Sequence, residues 1–156
     1  MFTGRSLPYK SASKKIIQLQ KSSRQNTNLG DEGDLDLGIS SGLSVESKII
    51  LKFDLSELPF PNSMTPTGAL LSLYRHNVTG TSSLTVSAHA CDTFNEDNVT
   101  WNNNPSCSTS EITRSTLLVS PTNGWQIWDL TSLAQSNIAN GNKTMSIMLQ
   151  SVGTPN

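Results

Sequence analysis

The segment Lys48-Ile-Ile-Leu-Lys-Phe-Asp-Leu55 decides the fold class. Every odd-numbered position from Ile49 to Leu55 is apolar, whereas the even-numbered positions include Lys52 and Asp54. Successive side chains of a strand point to opposite sides, so this alternation predicts a strand with one buried face. The pattern ends before two prolines, which the interior of a sheet excludes.

A period of two recurs along the chain, bounded by turn residues. The other predicted strands are Leu35–Ile39, Ala69–His76, Leu84–Ala88, Trp125–Leu130 and Met145–Leu149. The short turn at residues 79–83 predicts that the second and third of these form an antiparallel hairpin. Trp125–Leu130 is apolar on both faces, which predicts a strand covered on two sides.

Two other segments depart from the strand pattern. Apolar residues recur at helical spacing in 130–138, with Asp129 or Thr131 as cap and Asn140-Gly141 as stop, which predicts one short helix. Residues 91–111 are polar but contain Phe94, Val99 and Trp101, and we interpret them as an ordered loop whose aromatic residues enter the core.

Composition agrees with an all-β domain. Ser, Thr and Asn make up 54 of the 156 residues, and only 15% are charged, a balance that suits strands and turns better than helix surfaces. The sequence therefore predicts an all-β domain at residues 26–156, with one short helix and a preceding extended basic arm at residues 1–25.

The arm carries six basic residues and no acidic one, whereas residues 25–156 carry five bases and twelve acids. It docks on an acidic partner or on the acidic body of a neighbouring copy, or it is a solvated tail. Its apolar patch at residues 16–19 can pair as a strand or bury against a partner. Its basic residues are Arg5, Lys10, Lys14, Lys15, Lys21 and Arg24.

No signal-peptide core and no apolar run long enough to span a membrane is present in the sequence. With Met1 as the native start, assembly inside a cell and later release, as in a virion, explains a surface module; otherwise secretion stays open. Cys91 and Cys107 match no zinc spacing. A disulfide between them fits an oxidising compartment, but two free thiols are the favoured interpretation.

Several motifs together resemble the DNRLRE, or disaggregatase-related, family of β-sandwich domains, which includes carbohydrate-binding modules. The resemblance implies that residues 26–156 form a jelly-roll-like antiparallel β-sandwich, a module of extracellular or surface proteins. The basic arm lies outside the family pattern, and the chain stops one or two strands early, so the sandwich is either truncated or completed by a neighbouring chain. The matching pieces are Asn26–Gly30, Ile50–Ser56, Leu58-Pro59, Ala69–Tyr74, Asn95-Glu96, Val99–Asn103, Pro105 and Trp128–Thr131.

Candidate reactive groups are few. Glu96 and Asp97 lack an accompanying nucleophile or second acid, so Glu96 is expected to bond loop backbone around Trp101. His76 and His89 are expected as surface or hydrogen-bonded core residues. Asp31, Asp34 and Asp36 are a weak calcium candidate beside the simpler interpretation of an acidic surface; no other cofactor is expected.

Sugar binding requires exposed aromatic rings with neighbouring amide or charged groups. We expect Trp101 and Trp125 to be core residues. The candidates that remain are Tyr74, Arg75, Asn102, Asn103 and Trp128.

The sequence therefore predicts a non-catalytic module that binds neither nucleic acid nor the interior of a membrane. The leading hypothesis is a structural or assembly component of a virion or surface filament, in contact with other copies or other structural proteins through the arm. The alternative is a carbohydrate-binding module of an extracellular or cell-surface protein, with polysaccharide as its partner.

Overall fold

A computed structural model describes residues 14–21, 24–30, 37–40, 45–56, 58, 65–75, 84–117 and 123–152. Within these ranges the chain forms antiparallel strands and one helix. The elements are β1 (Lys14–Lys21), β2 (Gly38–Ser40), β3 (Val45–Asp54), β4 (Leu70–Arg75), β5 (Leu84–Cys91), β6 (Cys107–Leu117), β7 (Gly124–Asp129), α1 (Thr131–Ala139) and β8 (Thr144–Val152).

The strands form two sheets. The larger one has the order β1-β3-β8-β5-β6, and β2 pairs with the start of β3; the smaller one contains β4 and β7. The segment that decides the fold class is thus β3, which is bonded to β1 on one side and to β8 on the other. The predicted all-β fold with one short helix is confirmed.

The main core lies between the two sheets. The larger sheet contributes Ile49 and Leu51 of β3 together with Ile147 of β8, and the smaller sheet contributes Leu71 and Trp128. These are the inward positions of alternating strands, so the period of two in the sequence becomes one buried face per strand. Burial of such side chains stabilises the fold by about 1.5–3 kcal/mol each.

A second apolar cluster covers the opposite face of the larger sheet. Leu19 of β1, Ile50 of β3 and Met148 of β8 are buried there beneath Val99 of the β5–β6 loop, and Phe94 and Trp101 of that loop pack against them. The interpretation of the loop as ordered, with its aromatic residues in the core, is confirmed for residues 92–106. The following residues instead begin β6, which the sequence pattern does not predict.

A disulfide joins Cys91, the last residue of β5, to Cys107, the first residue of β6. The two cysteines are register partners on adjacent strands, which brings their side chains together on one face. The favoured interpretation as two free thiols is therefore wrong. The bond closes the base of the loop that covers the second cluster.

The hairpin prediction is also wrong. β4 pairs with β7 rather than with β5, while β5 pairs with β6 and β8. The strands that the sequence predicts form close to the predicted places, and so does the helix, which ends at Ala139 and is followed by Gly141 with a φ of 71°. That conformation favours glycine.

The apolar patch of the basic arm pairs as a strand. β1 is antiparallel to β3 over eight residues, and Leu19 is buried. Lys14 and Lys15 belong to this strand, and Lys21 and Arg24 are exposed. Arg5 and Lys10 lie outside the described residues. Residues 14–21 are thus part of the larger sheet, while the docking role of the arm stays a prediction.

Candidate functional site

The outward face of the β4–β7 sheet exposes four large apolar side chains. Exposed fractions are 59% for Leu70, 52% for Tyr74, 64% for Trp125 and 53% for Ile127. Apolar side chains exposed singly are ordinary, but a contiguous group on one flat face marks an interaction surface. We call this face the aromatic platform; it consists of Leu70, Ser72, Tyr74, Trp125, Ile127 and Asp129.

The strand register creates this surface. Tyr74 is directly opposite Trp125, Ser72 is opposite Ile127 and Leu70 is opposite Asp129. Side chains at directly opposed positions of antiparallel strands lie close together on one face. The platform extends over five residues of each strand, which is about 13 Å at roughly 3.3 Å per residue.

The two aromatic rings at one end of the platform contact each other edge to face. The ring centroids of Tyr74 and Trp125 are 5.3 Å apart, and the ring planes make an angle of 71°. This T-shaped arrangement is favourable for aromatic pairs. The contact holds each ring in place while leaving a large part of it open to solvent, which is what stacking on a sugar ring requires.

Trp128 faces the opposite way. It is 3% exposed, and its indole Nε1 donates a hydrogen bond of 3.2 Å to the carbonyl oxygen of Val86 on the facing sheet. Trp128 is therefore a core residue and the proposal of it as a sugar contact is wrong. The expectation that Trp125 is a core residue is also wrong. Odd and even positions of β7 face opposite sides, so Trp125 faces solvent while Trp128 faces the core.

Arg75 occupies an inward position of β4, next in sequence to Tyr74 on the outward face. It is partly buried and engaged in interactions of its own. Of the sugar-binding candidates on the two strands, the structure therefore leaves Tyr74 on the platform. Trp125, which the sequence argument assigns to the core, joins it there.

Asn102 and Asn103 lie in the β5–β6 loop, which packs on the second cluster, on the face of the larger sheet opposite the main core. The amide of Asn102 donates to the side-chain oxygen of Asn26 at 2.7 Å. The amide of Asn103 donates to the carbonyl of Asn98 at 3.1 Å. Both side chains are exposed, and their amides hold the loop to itself and to the turn at residues 24–30.

Glu96 forms an ion pair across the second cluster. Its Oε2 is 2.7 Å from Nζ of Lys52, which also donates to the carbonyl of Phe94 at 2.8 Å. The carbonyl of Glu96 in turn accepts a bond from the amide of Asn28. Glu96 thus ties its loop to β3 through a lysine side chain, a partner that the sequence does not predict; the expected bond of its carboxylate to loop backbone around Trp101 stays a prediction.

His89 and Ser87 form the one arrangement in the described chain that resembles a nucleophile and base. Their Oγ and Nε2 atoms are 2.8 Å apart, and Nδ1 of the histidine is 3.0 Å from the carbonyl of Ser108. Ser87 is only 1% exposed and His89 only 5%. A nucleophile must reach its substrate, so this pair is a hydrogen-bonded core network, as expected for His89. His76 lies outside the described residues.

Metal candidates do not converge in the part of the chain that the structure describes, where no three His, Cys, Asp or Glu side chains lie together in a metal-binding group. Asp31, Asp34 and Asp36, the weak calcium candidate, lie outside the described residues. Among those residues the one helix, α1, is neither long nor apolar enough to cross a membrane.

Asp129 is the last residue of β7 and of the platform, two positions before α1 begins. Its Oδ1 accepts hydrogen bonds from the hydroxyl and the backbone N–H of Thr131, and these bonds lower the pKa of the carboxyl below its ordinary value. A depressed pKa means that the charged form stabilises the folded state above the unfolded-state pKa, and that this contribution is lost as pH falls through the folded-state pKa.

We expect Asp129→Asn to be less stable than the wild type at neutral pH, because the asparagine keeps an acceptor but not the charge. The difference should shrink as the pH is lowered below about 4, where the unfolded carboxyl takes up its proton. Urea unfolding of both proteins at several pH values measures it. A difference that is the same at every pH would show that the charge of Asp129 contributes nothing.

The model of carbohydrate-binding module family 96 matches residues 18–156, nearly the whole described fold. The chain belongs to carbohydrate-binding module family 96. No curated protein matches it.

Membership of family 96 makes this chain a domain of the carbohydrate-binding-module kind. The match begins within β1, so the family pattern includes the end of that strand as well as the sandwich. Members of such a family bind rather than transform their ligand. The family does not place the binding site, for which the aromatic platform is the candidate.

Proposed function

We propose that this family 96 module binds a polysaccharide and that the aromatic platform is its binding surface. The observation that carries the proposal is the pair of opposed rings, Tyr74 and Trp125, exposed on a flat sheet face in a domain whose family binds carbohydrate. Pyranose rings present apolar C–H faces, and indole and phenol rings stack on such faces.

The platform supplies polar groups as well as rings. The hydroxyls of Ser72 and Tyr74 and the indole N–H of Trp125 lie on the same face, where each can exchange hydrogen bonds with sugar hydroxyls. Apolar contact together with a few oriented polar groups is the usual composition of a ligand site. The exposure of these side chains suits contact with a long chain better than enclosure of a single sugar.

Truncation of the larger ring tests the proposal. We expect Trp125→Ala to weaken polysaccharide binding by about tenfold or more, which corresponds to about 1.4 kcal/mol and to a central aromatic contact. Tyr74→Ala should weaken it as well, and Trp125→Phe should retain part of it. Affinity electrophoresis or calorimetry against the glycan that binds best in a polysaccharide array measures the effect.

Val152→Ala is the matched control, because Val152 is an exposed apolar residue, 42% exposed, on β8 of the larger sheet. It should bind as the wild type does. Equal binding by Trp125→Ala and the wild type would contradict the assignment of the surface. A face that only joins two copies would instead show no glycan binding and a change of sedimentation in Trp125→Ala.

The family resemblance and the location of the protein follow from the same proposal. The similarity to the DNRLRE family agrees with it, and residence outside the cell is supported by the Cys91–Cys107 disulfide, since such bonds persist in oxidising compartments. The hypothesis of a virion or filament component stays a prediction that no contact among the described residues supports. Carbohydrate binding is the better supported function.

A further inference from the structure

A cavity lies where β5 ends and β8 begins, beside α1, and none of the platform residues lines it. Its volume is about 350 Å³, which is at the lower end of the range for small-molecule sites. We call this cavity the end pocket. Its lining includes Thr93, Leu133, Asn137, Lys143, Thr144 and Ser146.

The end pocket contains a buried hydroxyl that the fold does not use. Ser146 is 5% exposed, and among the described residues its Oγ has no hydrogen-bond partner. Both of its register partners are already engaged: Lys52 on β3 bonds Glu96 and the carbonyl of Phe94, and Cys91 on β5 is in the disulfide. Buried polar groups are normally paired, so this hydroxyl is available to a ligand.

The helical wall of the end pocket is held by its own hydrogen bonds. Leu133 and Asn137 are four positions apart on α1 and therefore lie on one face. The amide of Asn137 donates to the carbonyl of Leu133 at 2.9 Å, and its Oδ1 accepts from the amide of Asn142 at 3.0 Å. These bonds fix the wall before a ligand arrives, which lowers the entropic cost of binding.

The groups that line the end pocket match a single sugar ring. Thr93, Thr144 and Ser146 carry hydroxyls, which donate and accept, and Lys143 carries an ammonium group, which donates. Leu133 adds an apolar side chain. A pyranose unit presents the complement, because it has adjacent hydroxyls and an apolar C–H face.

We infer that the end pocket binds one pyranose unit, supplied by a free sugar or by the end of a glycan chain. The platform is an exposed face that suits the length of a chain, whereas the end pocket has the volume for a single unit or little more. The two sites share no residue. The inference therefore does not depend on the assignment of the platform.

Titration with free monosaccharides tests the inference. A panel of hexoses and hexuronic acids is added to the labelled protein, and proton–nitrogen correlation spectra are recorded. We expect at least one member to shift the signals of Leu133, Asn137 and Ser146 in a saturable way, with a Kd of about 1–10 mM, as for a small ligand with few contacts. Trp125→Ala should leave this binding unchanged.

Two variants remove single hydroxyls from the end pocket. Ser146→Ala should weaken sugar binding by at least about fivefold, the loss of about one hydrogen bond, and should leave the urea midpoint unchanged, because this hydroxyl has no partner among the described residues to lose. Thr93 is exposed, so Thr93→Val should keep the fold and also weaken binding.

Ser87→Ala is the matched control. Ser87 is likewise a buried serine of the larger sheet, but its hydroxyl bonds His89 and it does not line the end pocket. Its removal should lower the urea midpoint, because a buried bond is lost, and should leave sugar binding as in the wild type. The two serines thus separate a hydroxyl that serves the fold from one that serves a ligand.

A trisaccharide of the sugar that binds identifies the source of the unit. If it shifts the same signals, the end pocket takes the end of a glycan chain; if only the monosaccharide does, it takes free sugar. The inference is overturned if no panel member gives saturable shifts at these residues up to about 50 mM, well above a millimolar Kd. Equal affinity of Ser146→Ala, Thr93→Val and the wild type would overturn it too. Either result leaves the proposed function intact when Trp125→Ala still abolishes polysaccharide binding.

Discussion

Trp128→Ala is expected to lower the free energy of unfolding by about 3–5 kcal/mol, the range for removing a large buried aromatic side chain. Trp128 is 3% exposed and fills the space between the sheets, where it packs in one cluster with Leu51, Ile147 and Leu71. Its truncation leaves a cavity and removes the indole bond to the carbonyl of Val86, which then loses a buried partner.

Trp125→Ala is the matched control for this prediction, because it removes the same side chain from the same strand on the outward face. Trp125 is 64% exposed, so its truncation should change stability by less than about 1 kcal/mol. Urea unfolding followed by circular dichroism measures both variants. Equal losses of stability would contradict the assignment of the two tryptophans to opposite faces of β7.

The double variant Cys91→Ser/Cys107→Ser is expected to be about 2–4 kcal/mol less stable than the wild type. The disulfide closes a loop with a sequence separation of 16. That loop holds Val99, Phe94 and Trp101 over the second apolar cluster. Without the bond, the unfolded chain gains freedom and the loop is held by its hydrogen bonds and packing alone.

Reduction of the wild type checks the origin of the loss. Unfolding in the presence of a reductant should lower wild-type stability to that of the double variant and leave the variant unchanged. Limited proteolysis should then cut first within residues 92–106, since the ends of this segment are no longer joined. Identical stability of the oxidised wild type and the double variant would contradict a stabilising role for the bond.

The strands and the helix could be predicted because each depends on neighbouring residues. Alternation in β3 and β8 and the Asn140-Gly141 stop of α1 are local signals, and the structure confirms the elements at these places. Pairing is not local. β4 and β5 follow each other in sequence with a turn signal between them, which favours a hairpin. β4 instead pairs with β7, whose partner residues are 49 to 59 positions away.

The pairing follows from burial rather than from turn residues. β5 carries buried residues on both faces, including Val86, Ser87, Ala88 and His89, so it fits the interior of the larger sheet between β6 and β8. β4 buries one face and exposes the other, which suits a two-stranded sheet at the surface. Ser87 and His89 do not look like core residues until their mutual hydrogen bond is known.

The candidate site was predicted in part. Tyr74 is on the platform, but the roles of Trp125 and Trp128 are reversed, because β7 is apolar on both faces and the sequence alone does not show which face is covered. The neighbouring residues indicate which face is covered. Trp128 and Leu130 are two positions apart and therefore lie on the same side, and Leu130 is buried in the same core. Ile127 and Trp125 are also two positions apart and lie on the opposite, exposed side of the strand.

The sequence alone does not show whether the two cysteines form a disulfide, because a separation of 16 positions is compatible with a bond and with two free thiols. What decides it is the register of β5 and β6, which places Cys91 opposite Cys107. That register follows from the length of the intervening loop and from two irregularities in the pairing near His89. Neither is a local property of the sequence.

The central claim is that the exposed ring of Trp125 contacts the polysaccharide, and the chain offers a direct way to observe it. It contains three tryptophans, so a proton–nitrogen correlation spectrum should show three indole signals, each assignable through a Trp→Phe variant. Titration with a soluble oligosaccharide of the glycan that binds best in the array should shift the Trp125 signal most and leave that of the buried Trp128 almost unchanged. Saturable binding that leaves the Trp125 signal in place, or that shifts the Trp101 signal instead, would contradict the account.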